Sequence, residues 1–421
     1  MARHDIENTP EERAQFLEIA RGLAVEFAKR GRAGDENNQF PLDTVPLYKS
    51  SGLARLQIPK DQGGLGGDIW SVTLVSKELA KGDPAIALSY NMHQVMVGLL
   101  ANVLEPAARD KVFKRVIEED ALLCGGFSEE RAGITGLADT YAIPQSDGGF
   151  RLHGKKTWTT LAEAADLVSL NAAVSDANGN LPDDVGERAA TECTFWLPMD
   201  SPGISIDRTW DTMGMRATGT QTVLFDDVYV SSENFGGNFR QGLFGHFEWV
   251  TMPFSGVYCG HAEKAYEECR DALRTKTLGA TAEGKNVALA GIGFVQYKLG
   301  RMLLDVEAAK RVLESTARIL FDGRDSEWNP MARAAFLDVA KVTTTETALR
   351  VCDGALRLIG GGAFRRGSIF ERLYRDSRAG PFHPLTTDQA YDLLGRAELG
   401  LLEPPTAREI DTVESAELAK A

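Results

Sequence analysis

The chain has 421 residues, and its 46 Lys and Arg against 60 Asp and Glu give a formal net charge of −14. A chain this acidic is repelled by phosphate backbones and anionic membrane surfaces, which excludes nucleic-acid and membrane-surface functions. Its 43% hydrophobic content is typical of a globular protein, and its length predicts two or three domains.

Cysteine, histidine and N-terminal patterns narrow the class of protein further. Five scattered cysteines form no C-x-x-C pair, which predicts buried free thiols. Six dispersed histidines show no zinc-ligand spacing, so no metal is expected. The first eight residues contain no apolar run typical of a secretory signal. A cytoplasmic protein is therefore predicted.

The first predicted block, residues 1–120, is an N-terminal α-helical domain. Thr9, Pro10 and Glu12 form an N-cap, a first-turn proline and a capping-box glutamate. Apolar residues then recur at helical spacing, and glycines at 63–67 predict a loop. His93 lies in an apolar helical run and is expected to be a core residue.

The second predicted block, residues 121–235, is a central β-domain. Short β-rich runs are separated by turn signals at 147–149, 178–180 and 201–203. The polar stretch 174–192 is expected to be a surface loop.

The third predicted block, residues 236–402, is a C-terminal helical bundle. Apolar positions from 299 to 320 follow one helical face, with Lys310 as its lone polar member, and a second long helix is expected over 334–358. Residues 403–421 are polar and are predicted to form a flexible tail. The fold class is therefore α+β, with the blocks in the order α, β, α.

Common catalytic motifs are absent from the sequence. The glycine clusters at 64–69 and 360–365 lack the last glycine of a dinucleotide fingerprint. Residues 214–219 have the glycine spacing of a P-loop but are followed by Thr-Gln. No H-E-x-x-H or G-x-S-x-G occurs. A metal enzyme, a nucleotide kinase and an α/β-hydrolase are thus disfavoured.

Five segments in order resemble the acyl-CoA dehydrogenase superfamily of flavoproteins. They are 58–66 (IPKDQGGLG), 124–133 (CGGFSEERAG), 154–160 (GKKTWTT), 213–228 (beginning MGMRATG), and 359–361 (IGG) with 371–376 (ERLYRD). The resemblance implies a helical domain, a β-domain and a four-helix domain. A flavin would lie between the last two, in a homotetramer or homodimer.

The resemblance also implies cofactor-binding residues. Phe127, Ser128 and Gly133 lie in the segment where the family contacts the flavin ring. Trp158 corresponds to an indole packed on one flavin face, and Thr159 and Thr160 follow it, with Thr160 matching a hydroxyl near flavin N5. A flat redox-active ring needs such an apolar wall and a few donors at its edge.

The adenine end of the cofactor site departs from the family pattern. Gly360 and Gly361 match the bend where a neighbouring subunit approaches the cofactor. Arg274 lies one position from the family's cross-subunit arginine, and Arg357 replaces a glutamine. Ile134 replaces the serine expected after Gly133. FAD is expected as the cofactor, with FMN as the alternative.

The catalytic glutamate of the family is missing from both of its usual places. The position nine residues after Arg375 is Pro384, and the alternative position, aligned without gaps, is Val250. Glu248, two residues away, is the only nearby carboxylate to offer as a base. Six arginines between 357 and 378 are the candidates for a patch that binds CoA or flavin phosphates.

His383, eight residues after Arg375, resembles the oxygen-using branch of the superfamily, the dibenzothiophene and hydroxyphenylacetate monooxygenases. Its pKa near neutrality suits proton transfer with a substrate. The alternative is a surface histidine in a turn.

Three functions stay open. Dehydrogenation of an acyl-CoA or acyl-carrier thioester, with an electron-transfer partner, leads narrowly. A two-component monooxygenase served by a flavin reductase and acting on a small molecule is the second, and a non-catalytic scaffold is the third.

Overall fold

The computed structural model describes residues 8–131, 136–278, 286–326 and 328–402. The N-terminal block is helical, as predicted. Its helices are α1 (Pro10–Asn37), α2 (Val45–Ser50), α3 (Ile69–Ala80), α4 (Pro84–Val103) and α5 (Pro106–Glu118).

The capping box predicted at the start of α1 is present. The Glu12 N–H donates to Thr9 Oγ1 at 3.2 Å, and the Thr9 N–H donates to Glu12 Oε2 at 2.8 Å. His93 is fully buried in α4, where the Leu123 N–H donates to its Nδ1 and Nε2 lies 2.7 Å from the Ala54 carbonyl oxygen. The prediction of a core histidine is therefore confirmed.

The central block is a mixed sheet of eight strands. They are β1 (Leu123–Gly126), β2 (Tyr141–Pro144), β3 (Phe150–Thr159), β4 (Leu167–Val174), β5 (Glu192–Pro198), β6 (Ile204–Asp207), β7 (Gln221–Val230) and β8 (Phe235–Asn238). Their order is β6-β7-β3-β2-β4-β5-β8, and β1 pairs in parallel with β4.

The prediction of a surface loop over 174–192 was only partly right, because this stretch contains the short helix α6 (Val185–Thr191). Asp184 caps this helix by accepting a hydrogen bond from the Glu187 N–H at 3.0 Å. A seven-residue helix is too short to show an apolar face in the sequence.

The C-terminal block contains the two long helices that the sequence predicts. Its elements are α7 (Phe239–Gly245), α8 (Glu248–Thr275), the short strands β9 (Thr277–Leu278) and β10 (Val287–Ala288), α9 (Gly293–Phe321), α10 (Pro330–Ile359), α11 (Ile369–Ser377) and α12 (Thr387–Glu398). Lys310, the polar residue on the apolar face of α9, pairs with Glu263 of α8, and its Nζ lies 3.6 Å from Glu263 Oε1.

One hydrophobic core runs through all three blocks. All five cysteines are free thiols, and four are buried, as predicted. Among the described helices, none is both long and apolar enough to cross a membrane.

Ion pairs of α11 join the three blocks beside the core. Arg375 binds Asp35 of α1 through two contacts of 2.8 and 2.6 Å and donates to the Met213 carbonyl oxygen at 2.9 Å. Arg372 pairs with Asp83, ahead of α4, at 2.8 Å. Since these arginines are largely buried in ion pairs, they cannot belong to the phosphate-binding patch that the arginine-rich stretch suggested.

Candidate functional site

A cavity of about 310 Å³ lies where the three blocks meet. Most of its wall is apolar. The aliphatic members are Leu88, Met92, Val95, Met96, Met215, Val250, Ala379 and Pro384, and the aromatic members are Phe127, Trp158, Trp210, Phe254 and Phe382. The uncharged polar members are Ser128, Thr160, Thr218, Thr220, Thr386 and Gln389.

The described lining contains no Asp, Glu, Lys or Arg, and His383 is its one titratable side chain apart from the hydroxyls. A wall of this kind suits a flat, largely apolar ring system held at its edge by hydroxyl groups.

Trp158 forms an aromatic wall because the strand carrying it is irregular. The pairing of β3 with β7 shifts register between Lys156 and Thr159. Trp158 lies in this bulge with a left-handed φ of 55°, and 57% of its surface is exposed. Trp210 meets it edge to face, with ring centroids 5.5 Å apart. Strained backbone of this kind concentrates at functional sites.

A row of threonine hydroxyls lies beside the tryptophan. Thr160 Oγ1 is 3.0 Å from Thr220 Oγ1, which is 2.7 Å from Thr218 Oγ1. Thr159 points away from the cavity, and its buried hydroxyl has no hydrogen-bond partner within the described residues. Of the two threonines predicted at the site, Thr160 lines the cavity and Thr159 does not.

The loop carrying Met215 is fixed on both sides. Met215 has a left-handed φ of 54°; its N–H donates to Asp376 Oδ1 at 2.6 Å, and its carbonyl accepts from Trp210 Nε1 at 2.9 Å. A Cβ on Gly214 would lie 2.3 Å from the Arg375 carbonyl oxygen, so only glycine allows this approach.

Phe127 and Ser128 follow β1 and also line the cavity. The Phe127 ring stacks on Phe239 with centroids 5.2 Å apart. The Ser128 carbonyl accepts a hydrogen bond from the Thr157 N–H at 2.8 Å, which joins this segment to the strand of Trp158.

His383 lies in the cavity wall, so it is not a surface residue of a turn. Its ring stacks on Phe254 with centroids 4.5 Å apart, and its Nε2 lies 2.8 Å from Tyr258 Oη. Burial and the nearby Lys341 charge lower the pKa of His383 to about 3, which keeps the ring neutral at physiological pH.

The partner of His383 determines which nitrogen carries the proton. Tyr258 is fully buried, and burial raises its pKa well above the ordinary value, so the phenol stays protonated. Among the described residues, His383 Nε2 is the hydrogen-bond partner of the buried Tyr258 hydroxyl. The phenol hydrogen is therefore satisfied when Tyr258 donates to Nε2, and the neutral ring then carries its own hydrogen on Nδ1. This arrangement makes His383 a hydrogen-bond donor through Nδ1.

The two positions where the family places its base both line this cavity, as Val250 and Pro384. Glu248 does not line it. Residues two apart on a helix point in nearly opposite directions, and Glu248 faces Arg333 of α10, with Oε2 and Nη2 2.7 Å apart. Arg333 also pairs with Asp325 at 2.5 Å.

Three family profiles match the chain in order. They describe the N-terminal domain of acyl-CoA dehydrogenases over residues 9–120, the middle domain over 124–228 and the C-terminal domain over 252–387. The chain belongs to the acyl-CoA dehydrogenase family. The predicted family, its fold and its flavin-dependent oxidoreductase class are thereby confirmed.

The relatives of this chain include both acyl-CoA dehydrogenases and nitrososynthases. The putative acyl-CoA dehydrogenase YdbM of Bacillus subtilis is 28% identical over 390 residues, covering 90% of this chain and 95% of its own. L-evernosamine nitrososynthase of a Micromonospora species is 28% identical over 396 residues, covering 90% of this chain and 87% of its own.

Solved structures show the same fold. Butyryl-CoA dehydrogenase from Megasphaera elsdenii matches with a TM-score of 0.82 at 22% identity, covering 93% of this chain and 99% of its own. FMN-bound TdsC from Paenibacillus sp. A11-2 matches with a TM-score of 0.81 at 22% identity, covering 93% and 98%.

The cavity fits the ring end of the flavin that this family uses. Trp158 offers the apolar wall, Thr160 and Ser128 offer hydroxyls, and the uncharged lining suits a flat heterocycle. Phe127, Ser128, Trp158 and Thr160 are thus brought together as the sequence predicts.

The residues predicted for the adenine end lie elsewhere. Arg274 is exposed at the end of α8, paired with Asp271 at 3.3 Å, and Arg357 is exposed near the end of α10, paired with Asp353 at 2.7 Å. Gly360, which ends α10 with a φ of 83°, and Gly361 also lie outside the cavity wall. Gly133 lies outside the described residues.

Sequence reasoning missed the residues that support His383. Tyr258 and Phe254 belong to an apolar helical run, and Lys341 lies on a long helix among threonines and alanines. A buried polar group on a helix gives no periodic signal, so only the packing of α8 against α10 identifies it.

Proposed function

We propose that this protein is a flavin-dependent oxidoreductase whose cavity is suited to oxygenation of a small substrate, as a two-component monooxygenase. The observation that carries the proposal is the pair Val250 and Pro384. Both positions of the family's base face the cavity, and neither has a side chain that removes a proton. His383 is the titratable group that takes their place.

His383 acts as a neutral hydrogen-bond donor in this proposal. Tyr258 holds Nε2, so the Nδ1 hydrogen is available to an oxygen atom of the reactants. Burial and Lys341 disfavour the imidazolium that removal of a substrate proton would produce. When bound, the flavin supplies the redox chemistry. Trp158 and Phe254 contribute aromatic rings to the wall around it.

α,β-Dehydrogenation of an acyl-CoA or acyl-carrier thioester is the second candidate. It is favoured by the names of relatives such as YdbM and by the narrow preference that the sequence gives. In this reaction the α-proton needs a base. The carboxylate nearest in sequence, Glu248, is instead held by Arg333.

We infer that this chain holds the flavin by its ring, and that FAD or FMN meets this requirement equally. The adenosine diphosphate end of FAD would have to be bound by a neighbouring subunit through the exposed Arg274, Arg357 and Gly360–Gly361 region. The proposed assembly is a homotetramer or homodimer, and the proposed partner is a flavin reductase, or an electron-transfer protein if dehydrogenation is correct.

Anaerobic reduction distinguishes the two reactions. The purified protein is loaded with FAD or FMN and mixed without oxygen with acyl-CoA thioesters of short, medium and branched chains. Loss of the visible absorbance of the oxidised flavin would establish dehydrogenation and overturn the proposal. We expect no loss with any thioester.

The oxygenation arm uses reduced flavin and ¹⁸O₂ with indole, dibenzothiophene, 4-hydroxyphenylacetate and a primary-amine sugar as probes. Incorporation of one ¹⁸O into a probe supports the proposal. The His383→Ala variant should lose at least about a hundredfold of product formation and still bind flavin. His153→Ala is the matched control, because His153 stacks on Tyr141 in the sheet, outside the cavity wall.

A further inference from the structure

Lys341 is a buried cation beside the segment that carries His383. It lies on α10 with no exposed surface, and its Nζ donates to the Leu385 carbonyl oxygen at 2.6 Å. Leu385 is two residues after His383. Lys341 is outside the described cavity wall, so it acts on the site through this segment and through its charge.

A buried carboxylate on the same helix offsets the charge of Lys341. Asp338 lies one turn earlier, is fully buried, and neither of its carboxylate oxygens has a hydrogen-bond partner in the described parts of the chain. Burial raises the pKa of Asp338 to about 7 and lowers the pKa of Lys341 to about 8, and each charge opposes the shift of the other. The two opposite charges therefore favour each other's ionised form without a direct contact in the described residues.

The titratable groups around His383 come from two helices. Tyr258 of α8 binds its Nε2, and Lys341 of α10 raises the electrostatic potential at the ring. The nearby carboxylates act on these two residues and not on the imidazole itself. Asp338 and Glu346 act on Lys341, and Asp376 acts on Tyr258. The charge that acts on the imidazole is thus the positive charge of Lys341, which disfavours a second positive charge.

Building on the proposed function, we propose that Lys341 is a positioning residue for His383. It fixes the segment 383–385 through the Leu385 carbonyl and, as a cation, keeps the imidazole uncharged. The neutral ring then accepts the Tyr258 hydrogen bond and presents its Nδ1 hydrogen to the cavity. Asp338 keeps Lys341 charged in a buried place.

Three variants test the buried cation and its counter-charge. Lys341→Met keeps the volume and removes both the hydrogen bond and the positive charge, Lys341→Arg keeps a cation and a donor, and Asp338→Asn removes the counter-charge. Lys310→Met is the control, because Lys310 belongs to an ion cluster with Glu263 and Glu307 on α8 and α9. Circular dichroism and thermal unfolding establish that each variant is folded.

The first readout is hydrogen–deuterium exchange at the imidazole Cε1, followed for the His383 peptide by mass spectrometry between pH 4 and 8, on the protein without substrate. The exchange rate rises as a histidine loses its proton and becomes constant once the ring is neutral. We expect a constant rate for the wild type and Lys341→Arg. For Lys341→Met we expect the titration to shift upward by roughly one pH unit or more, so that the rate falls at the acid end of this range.

The second readout is ¹⁸O incorporation in the assay above. Lys341→Met should lose at least about tenfold in kcat with flavin affinity unchanged, and Lys341→Arg should recover most of the loss. A His383 profile for Lys341→Met identical to the wild type would overturn the inference. Because the exchange needs neither substrate nor oxygen, this result is distinguishable from failure of the proposed function, which would appear as absent wild-type oxygenation.

Discussion

At the scale of single residues, the reaction is decided by which side chains face the cavity. Val250, Pro384 and His383 all lie in its wall. The family resemblance implies a carboxylate at one of the first two positions, and this chain has an aliphatic side chain and a proline there. The neutral His383 is left as the group able to interact with a reacting atom.

The role of Trp158 as a flavin wall predicts a loss of cofactor affinity. Removing a stacked ring costs roughly 1–3 kcal/mol, so Trp158→Ala should weaken flavin binding by about tenfold or more. Fluorescence quenching of added FMN measures the affinity. Trp328→Ala is the control, because Trp328 lies outside the cavity wall and packs edge to face on Phe336, with ring centroids 4.7 Å apart. Equal losses in both variants would contradict a stacking role.

The pairing of Glu248 with Arg333 predicts a structural role for this carboxylate. Glu248→Gln removes a charged partner from a buried arginine and should lower the free energy of unfolding by about 1–3 kcal/mol. Turnover per folded molecule should be unchanged. Denaturant unfolding and kcat, measured on the same sample, check this. A variant of unchanged stability that has lost its activity would make Glu248 the base and restore dehydrogenation.

At the scale of elements, the cavity depends on α11 and the loop that it holds. Arg375 and Asp376 lie near the end of this helix. Arg375 binds Asp35 of α1 and the Met213 carbonyl oxygen, and Asp376 accepts a hydrogen bond from the Met215 N–H. Both residues lie in the last turn of α11, ahead of α12. The wall formed by Met215 is thus coupled to the contact between the helical blocks.

Asp376 should make stability depend on pH. Burial, reinforced by Asp83 and Asp35 and opposed by Arg372, raises its pKa from 3.8 to about 7. The folded state therefore binds the proton more tightly than the unfolded state, and this contribution to stability is lost as pH rises from about 4 to 7, at up to about 1.4 kcal/mol per pH unit.

Asp376→Asn tests this directly, because an amide oxygen still accepts from the Met215 N–H and does not titrate. We expect the wild type to lose more unfolding free energy than Asp376→Asn between pH 5 and 7.5, measured by urea unfolding. Parallel curves for the two proteins would show that Asp376 is ionised throughout this range in the folded state.

At the scale of the whole molecule, exposed apolar side chains on α9 suggest how the chain assembles. Phe294, Tyr297 and Leu304 are 62%, 68% and 63% exposed. Their spacing of three and seven residues puts them on one helical face. An apolar face of this kind is typical of an interface. A neighbouring subunit is also what the adenine end of FAD would require.

Replacing Tyr297 and Leu304 with Asp should therefore give smaller particles in light scattering and weaken binding of FAD more than binding of FMN. Like charges repel at a self-associating face, and the adenine site would lose its second subunit. Val25→Asp is the control, since Val25 is 58% exposed on α1. Unchanged particle size would exclude α9 from the interface.

The sequence by itself determined the order of the blocks and five residues of the cavity wall, which are Phe127, Ser128, Trp158, Thr160 and His383. The capping signals at Thr9, the apolar periodicity of α9 and the segments around Trp158 and Met215 are local, and local patterns can be read along the chain. They were sufficient for the family, the fold and several residues of the cavity wall.

The tertiary structure alone decided the electrostatic state of the site. The rotation of α8 about its own axis decides that Glu248 faces Arg333 and does not face the cavity. The proton position on His383 depends on Tyr258 and Lys341, which are 125 and 42 residues away in the chain. Burial and charge at these groups arise from the packing of α8, α10 and the segment 383–385, and no local pattern encodes such packing.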